Sequence, residues 1–361
     1  MSNRQLTKLR IAANIFPKVQ KYRWFGVPTP LLVTFGITNK CNLRCPYCFA
    51  GLDNRQGMEM PTEKILDYID QFRDLGAQEI NLQGGEPSLH PDIDKIVHHV
   101  VDNGMHCSMA TNGIGVSSKW HKRERNLKAF KKCYMIGVSL DGGQETTDRN
   151  RGLGAYAVAR EAIEVLSEHE VNVRIHGVIT AIHTKDDIKH LVDLAETFKT
   201  SVNFVYAVES GNNEIDTLTE TGFPERAKQL MLYMKELKAG GAPITSKEGA
   251  INQVLNWPHD PQKILMEDEM TPDEYAELKA LGIPRCLWGN LAVFFNTDGK
   301  LYLCPRGFDR EGFYVDIGNK TIAEAFHELS RKRKCYQCGQ MGDLSYSFGL
   351  NKDNMQTWLK Y

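Results

Sequence analysis

The sequence predicts an α/β fold in which a parallel sheet, open or curled into a barrel, is followed by a smaller hairpin-bearing unit. Three observations lead there. From residue 31 to 239, strand-like apolar runs alternate with helical periodicity in units of roughly 25 to 40 residues, the pattern of a sheet with helical crossovers. The unusual residues (Cys41 to Cys48, Gly84 to Pro87, Asn112-Gly113, Asp141 to Gly143) fall in loops that follow the strand-like runs, where parallel α/β folds collect their chemistry. Beyond Cys286, LAVFFNTDGKLYL places two apolar runs around Thr-Asp-Gly, a hairpin signal.

Residues 1–30 read as an N-terminal extension whose amphipathic stretch is interrupted by Pro17 and docks on the main domain. LLVTFGI (31–37) is the first buried strand, and 61–76 is a helix with Pro at its start and Gly at its end. QEINLQ (78–83), MHCSMAT (105–111), YMIGVSL (134–140), VNVRIHGVIT (171–180) and SVNFVYAV (201–208) are the following strands. The helix at 91–104 follows GGEP, a basic helix follows Asn112-Gly113, and a polar loop follows Asp141-Gly142-Gly143. AYAVAREAIEVLSEHE, DDIKHLVDLAETFK and FPERAKQLMLYMKELKAGG supply the later helices. Residues 240–285 are weakly periodic and read as a connector with short helices, and a second unit spans 286–361.

Composition narrows the function. Apolar residues are 42% and charged residues 25% of the 361, which excludes disorder, collagen and coiled coil. Lys plus Arg is 44 against 45 Asp plus Glu, so no general basic field is available to bind long nucleic acid. No apolar run approaches the length of a membrane span, and the N-terminus lacks a secretory h-region; the expected location is the cytoplasm. The nine cysteines are an odd count, with three inside eight residues. In a reducing compartment that pattern means metal ligands or catalytic thiols rather than disulfides. Cys107 and Cys133 lie in or beside apolar strands and are expected to pack as small hydrophobes.

Cys41, Cys45 and Cys48 form C-x3-C-x2-C in TNKCNLRCPYCFAG. Three thiolates on one short loop can hold three corners of an iron–sulfur cube and leave the fourth iron open to a chelating small molecule. A zinc knuckle lacking one ligand, or three buried thiols, are the plainer alternatives. The loop resembles that of the radical S-adenosylmethionine (SAM) superfamily, which carries this spacing after the first strand of a partial (β/α)6 barrel. The resemblance covers residues 31–239. LQGGEP (82–87) looks like the superfamily's GGE motif, in which Gly84 and Gly85 let backbone approach a ligand and Glu86 receives the ammonium of SAM. The resemblance implies that Tyr47 packs beside the adenine and that Ser139 contacts the ribose or methionine portion. It also implies that Arg151, with Arg149 as competitor, holds the SAM carboxylate, and that Thr111 and Asn112 face the same pocket. The implied cofactors are a [4Fe–4S] cluster bound to SAM, and SAM itself. The implied reaction is reductive cleavage of SAM to a 5′-deoxyadenosyl radical that takes hydrogen from an unactivated C–H bond, with flavodoxin or ferredoxin as the reducing partner.

Cys286 and Cys304 flank the hairpin, and Cys335 and Cys338 form C-x2-C. Four cysteines from separate segments can close a tetrahedral zinc or a fully ligated [4Fe–4S] cluster. This region looks like the twitch domain, a shortened SPASM extension, with Gly299 before the second hairpin strand. That likeness implies a second, auxiliary [4Fe–4S] cluster that accepts or relays an electron. The expected activity is therefore radical SAM oxidation, with dehydrogenation of a small molecule as the leading reading. Maturation of a ribosomally made peptide, or a radical rearrangement in biosynthesis, is the alternative.

Overall fold

Each of the six apolar runs becomes a strand lying parallel to its predecessor: β1 (Leu32–Gly36), β2 (Glu79–Gln83), β3 (His106–Thr111), β4 (Met135–Ser139), β5 (Val173–Ile179) and β6 (Ser201–Tyr206). The computed structural model describes residues 3–48, 59–207, 223–259, 263–283, 285–308, 310–332 and 335–338, with side chains from residue 13 except at 223, 224 and 253. The expected tail after Cys338 lies outside the described residues.

Alternation along the strands separates two faces. On β5, Val173, Ile175 and Ile179 are buried in the main core, whereas Arg174, His176 and Val178 point to the opposite face and stay partly exposed. On β2, Ile80 and Leu82 are buried while Glu79, Asn81 and Gln83 are not. A parallel sheet covered on both faces would be apolar on both. Here the outer face lies under helices and the inner face is polar, which makes the curved sheet a partial (β/α)6 barrel with a polar lumen.

The outer layer forms where apolar residues recur at helical spacing. In α2 (Thr62–Asp74), Ile65, Tyr68, Ile69 and Phe72 fall on one buried stripe, as do Ile93, Ile96, Val97 and Val100 in α3 (Ile93–Asp102). α4 (Arg123–Phe130), α6 (Ala155–Glu168), α7 (Lys185–Thr197) and α8 (Phe223–Ala239) complete this layer. Thr184 and Asp187 form a reciprocal capping box that starts α7.

Four features differ from the sequence expectations. First, α1 (Asn3–Phe25) runs through Pro17 rather than being interrupted there. Pro17 removes one helical hydrogen bond, but Val19, Ile15 and Tyr22 pack against Leu31 and Leu291, and Lys18 Nζ donates to the Gly76 carbonyl (2.9 Å). Second, the expected polar loop after Gly143 contains α5 (Gln144–Arg151), whose buried positions, Thr147, Asn150 and Arg151, are polar and so carry no hydrophobic period.

Third, the hairpin is not a separate layer. β8 (Ala292–Phe295) pairs in parallel with β1, and β9 (Lys300–Tyr302) and β10 (Tyr314–Asp316) follow antiparallel, giving the order β10-β9-β8-β1-β2-β3-β4-β5-β6. Gly299 supplies the positive φ (+76°) of the turn. Fourth, the connector holds structure of its own. Ile244 bridges Val202 in parallel beside β6, followed by α9 (Glu248–Leu255), β7 (Ile264–Met266) and α10 (Pro272–Ala280). Beyond α11 (Ile322–Lys332), the C-x2-C segment is a strand, β11 (Cys335–Cys338), antiparallel to β7.

The joint between barrel and hairpin is aromatic. The Phe295 ring lies 4.9 Å from both Phe35 and Tyr68 and 5.9 Å from Phe72, centroid to centroid, and Phe295 is fully buried. Phe295→Ala is expected to cost about 3–5 kcal/mol through lost burial and the cavity left behind. Urea unfolding followed by circular dichroism checks this; an unchanged midpoint would show that the hairpin is only loosely attached.

Candidate active site

The cysteine loop leaves β1 at Thr38 and is clamped against the loop after β2. Gly85 N–H donates to the Thr38 carbonyl and Glu86 N–H to the Lys40 carbonyl, both at 2.7 Å. A Cβ on Gly84 would stand 2.2 Å from Thr38 O, and one on Gly85 2.2 Å from Lys40 O. Gly84 also holds φ +145°, a conformation that side chains disfavour. In the structure, the glycine pair therefore admits the chain that carries Cys41 at backbone-to-backbone distance.

Glu86 is buried at the centre of this clamp. Its Oε1 accepts from Ser88 N (3.0 Å), Ser88 Oγ (2.6 Å) and Thr111 Oγ1 (2.7 Å), and its Oε2 accepts from Asn112 N (2.7 Å). Asn112 Nδ2 donates to Asn42 Oδ1 (2.9 Å), which ties the end of β3 to the cysteine loop. Burial raises the Glu86 pKa, against the lowering effect of these hydrogen bonds. Glu86, Thr111 and Asn112 are thus one network. Its single acceptor site with spare capacity is on Oε2, since Oε1 already takes three donors.

A second buried carboxylate organises the ends of β4 and β5. Asp141 receives Tyr47 Oη (2.6 Å), Arg151 Nε (3.0 Å) and Asn150 Nδ2 (3.3 Å) on Oδ2, and Arg151 Nη2 (2.7 Å) and Val178 N (3.0 Å) on Oδ1. His183 Nε2 stands 2.8 Å from the Asp141 carbonyl oxygen. Arg151 makes a bidentate, charge-assisted pair, and its guanidinium lies 5.6 Å from the Tyr47 ring centroid. Arg149 is exposed, whereas Arg151 is buried against Asp141. Asp141 was readable in sequence only as a good turn residue. Its role comes from partners up to 94 residues away, and no local signal marks them.

The two carboxylates titrate in opposite directions. Burial would raise the Asp141 pKa, but the Arg151 charge and the hydrogen bonds outweigh it and hold the carboxyl below its usual range. Burial raises the Tyr47 pKa well above the ordinary phenol value. Ser139 closes β4, opposite His176 in register and partly exposed on the inner face.

The three thiols lie over this mouth. Cys45 and Tyr47 are buried with Ala207, beside Leu43, Cys48 and Val178, so the loop reaches from β1 across to β5 and β6. Burial, together with mutual repulsion from Cys48, Asp141 and Cys41, pushes the Cys45 thiol up to about 12 despite Arg151. Thiolates crowded in this way are stable only against a compensating cation, which fits an iron–sulfur cluster. Among the described residues no three Cys, His, Asp or Glu side chains surround a common metal point, so the fit rests on donor chemistry and backbone placement.

Two of the C-terminal cysteine segments meet at β11. Cys286 N–H donates to the Tyr336 carbonyl (2.9 Å), which sets Cys286 beside β11 between Cys335 and Cys338. Cys304 packs on the same apolar group as Cys286, with Trp288, Phe294, Tyr302 and Phe308. Leu32, from β1, contacts that group as well. Cys107 and Cys133 are both buried in the main core, as expected.

Asp141→Asn should leave the Arg151 charge buried without its counter-charge and cost about 3–5 kcal/mol near neutrality. The folded pKa of Asp141 lies below its unfolded value, so the pair's contribution is complete above the unfolded carboxylate range, about pH 4–5. It is lost as pH falls through the folded value. The gap between wild type and variant in urea unfolding should be flat at neutral pH and narrow in acid; a gap that widened in acid would reverse the assignment.

Residues 35–196 match the family model for the Radical SAM superfamily. The chain is 26% identical over 332 residues to mycofactocin maturase MftC of Mycobacterium ulcerans, covering 88% of this chain and 81% of that protein. It is 27% identical over 256 residues to Fe-coproporphyrin III synthase of Methanosarcina barkeri, covering 69% and 62%. Among solved structures, Streptococcus suis SuiB bound to S-adenosylmethionine superposes with TM-score 0.64 at 16% identity, covering 86% of this chain and 69% of that one. Native anSMEcpe with bound AdoMet and Cp18Cys peptide superposes with TM-score 0.59 at 20% identity, covering 83% and 82%. With the C-x3-C-x2-C loop seated on its glycine clamp at the mouth of a partial barrel, residues 35–196 carry the radical SAM domain that the family model describes.

Proposed function

We propose that this chain is a radical SAM oxidoreductase of the maturase type, acting on a peptide substrate, with an auxiliary cluster on Cys286, Cys304, Cys335 and Cys338. The observation that carries the reading is that the triplet loop and the Cys286 and Cys304 pair flank one continuous sheet, with Cys335 and Cys338 on the separate β7–β11 pair that Cys286 N–H meets at Tyr336. The triplet lies over the lumen, and Cys286 and Cys304 sit against Phe294 and Tyr302 beside β1. The likeness to mycofactocin maturases over most of both chains supports a peptide substrate. So does the shared fold of SuiB, which was solved with the precursor peptide SuiA. The likeness to Fe-coproporphyrin III synthase favours a small-molecule substrate as the second reading.

Cys41, Cys45 and Cys48 would hold a [4Fe–4S] cluster that, with SAM bound, supplies hydrogen-atom abstraction by a 5′-deoxyadenosyl radical. The chain's own residues do the positioning. Glu86 offers its Oε2 to the SAM ammonium, and Tyr47, held by Asp141, presents its ring to the adenine. Arg151, whose Nε and one Nη engage Asp141, keeps its remaining edge for the SAM carboxylate. Ser139, Thr111 and Asn112 border the same mouth. The C-terminal cluster would supply an acceptor for the electron left on the substrate, and flavodoxin or ferredoxin the initial reducing electron.

Anaerobically reconstituted, reduced protein should convert SAM to 5′-deoxyadenosine, and changing Cys41, Cys45 and Cys48 together to Ala should abolish this. Product from the triple variant would sink the site assignment. Total iron should be about eight per chain, for two four-iron clusters, and fall by half when Cys335 and Cys338 become Ser. One zinc with only four irons would remove the electron-acceptor role. Gly85→Ala should lower triplet-bound iron, because its Cβ collides with the Lys40 carbonyl; full iron loading would show that the clamp is dispensable.

A further inference from the structure

One stretch of the outer layer is strongly basic. KWHKRERNLKAFKK, residues 119–132, holds seven Lys and Arg against a single acid, Glu124, in a chain of net charge −1. α4 buries Leu127, Ala129 and Phe130 and leaves Lys128 exposed, with Lys119 before it and Lys131 and Lys132 after it exposed as well. Lys122 and Arg123 are half-buried at its start. Arg125 is engaged by Asp94 (3.6 Å) and by the Pro91 carbonyl (2.5 Å). Among the described residues the other six form no ion pair. Glu161 of α6 reaches the start of the stretch, where it accepts from Ser118 N–H (2.7 Å), and is one charge among several cations.

The start of this stretch lies on the side of the cysteine loop. A helix that follows a parallel strand runs back along it, so α4 begins at the carboxyl ends of the strands, where the mouth is. Asn126 Nδ2 fixes the helix there by donating to the carbonyls of Gly115 (3.0 Å) and Ser88 (3.4 Å), in the loops after β3 and β2. Asn42, next to Cys41, accepts from Asn112, whose Oδ1 accepts in turn from Ile114 N–H (3.1 Å). Trp120 N–H then bonds the Ser117 carbonyl (3.0 Å) and Arg123 N–H the Trp120 carbonyl (3.1 Å), so the chain reaches α4 in tight turns. Such turns advance about 2 Å per residue, which puts Lys119 within about 15 Å of Asn112. Lys40, exposed and directly before Cys41, continues the positive surface inward, since Lys40 and Arg125 both act on the His90 ring between them.

We propose that the face carrying Lys119, Lys122, Arg123 and Lys128, with Lys40 at its inner edge, is the docking surface for an acidic electron-carrier protein. The proposal rests on the function given above for the destination of the electron. Exposed, unpaired lysines on a short helix steer an acidic partner and orient it, and they attract it over about a Debye length before contact. The face belongs to the outer layer, so a carrier seated on it leaves the lumen open to substrate while its own redox centre faces the cysteine loop. One electron passes from the carrier, which is oxidised, to the cluster on Cys41, Cys45 and Cys48, which is reduced; no bond forms or breaks in that step.

The test compares wild type with a combined Lys119→Glu, Lys122→Glu and Lys128→Glu variant, both cluster-loaded and anaerobic with SAM. The reductants are dithionite, a reduced flavodoxin and a reduced [2Fe–2S] ferredoxin. For at least one carrier the variant should raise KM about tenfold or more, with 5′-deoxyadenosine formation under dithionite unchanged. Added salt should weaken carrier binding to wild type but not to the variant, and the corresponding triple Lys→Arg variant should behave as wild type. Calorimetry with the oxidised carriers reads docking without turnover. Failure of wild type to form 5′-deoxyadenosine with dithionite would therefore count against the function proposed above, while the docking result stands by itself. Unchanged affinity for both carriers in the glutamate variant, no binding of either to wild type, or an equal loss of rate with dithionite would overturn the surface. So would a loss confined to binding of a transfer RNA, which would make the face a nucleic-acid site.

Discussion

Two backbone hydrogen bonds, from Gly85 and Glu86 to the carbonyls of Thr38 and Lys40, determine where the cysteine loop leaves the sheet. Everything at the mouth depends on that contact. Because neither glycine carries a Cβ, the loops after β1 and β2 meet at hydrogen-bond distance, and Cys41 starts from a backbone that cannot drift. From there the loop is tied to β3 through Asn42 and Asn112, to β4 through Tyr47 and Asp141, and to β5 and β6 through the packing of Cys45. A metal-binding loop with rigid supports loses less conformational entropy when ligand arrives.

The polar centre of the site is held by two buried acids that solve the cost of burial differently. Among the described residues Glu86 takes its hydrogen bonds from neutral donors only; the four bonds offset its desolvation in part, and its pKa rises. Asp141 has a bidentate arginine, and its pKa falls. The difference suits their positions. A carboxylate whose charge is under-compensated attracts a cationic group, whereas one already paired acts as a fixed support for Tyr47 and Arg151.

The C-terminal unit gains its place through the sheet. Parallel pairing of β8 with β1 and the insertion of Phe295 among Phe35, Tyr68 and Phe72 make the hairpin an extension of the barrel wall. On the opposite face of the same strands, Phe294 and Tyr302 form the apolar bed of Cys286 and Cys304. One strand thus serves the barrel core with one set of side chains and the second cysteine group with the other.

Much of this was legible in the linear sequence. Strand and helix order from residue 31 to 239 follows from apolar period and from Gly and Pro punctuation, and the triplet spacing states its chemistry within eight residues. The hairpin was equally local, since Asn296 to Gly299 turns the chain by itself. What sequence alone did not contain was every relation between distant segments. The helix carrying Arg151 buries polar residues and so shows no period; Asp141 reads as a turn until Tyr47 and Arg151 reach it; the C-x2-C segment becomes a strand only because β7 lies beside it. Local propensity and spacing are properties of neighbours in sequence, and they determined the elements and the ligand types. Hydrogen-bond partners and strand neighbours are properties of neighbours in space, and only the folded chain decided those.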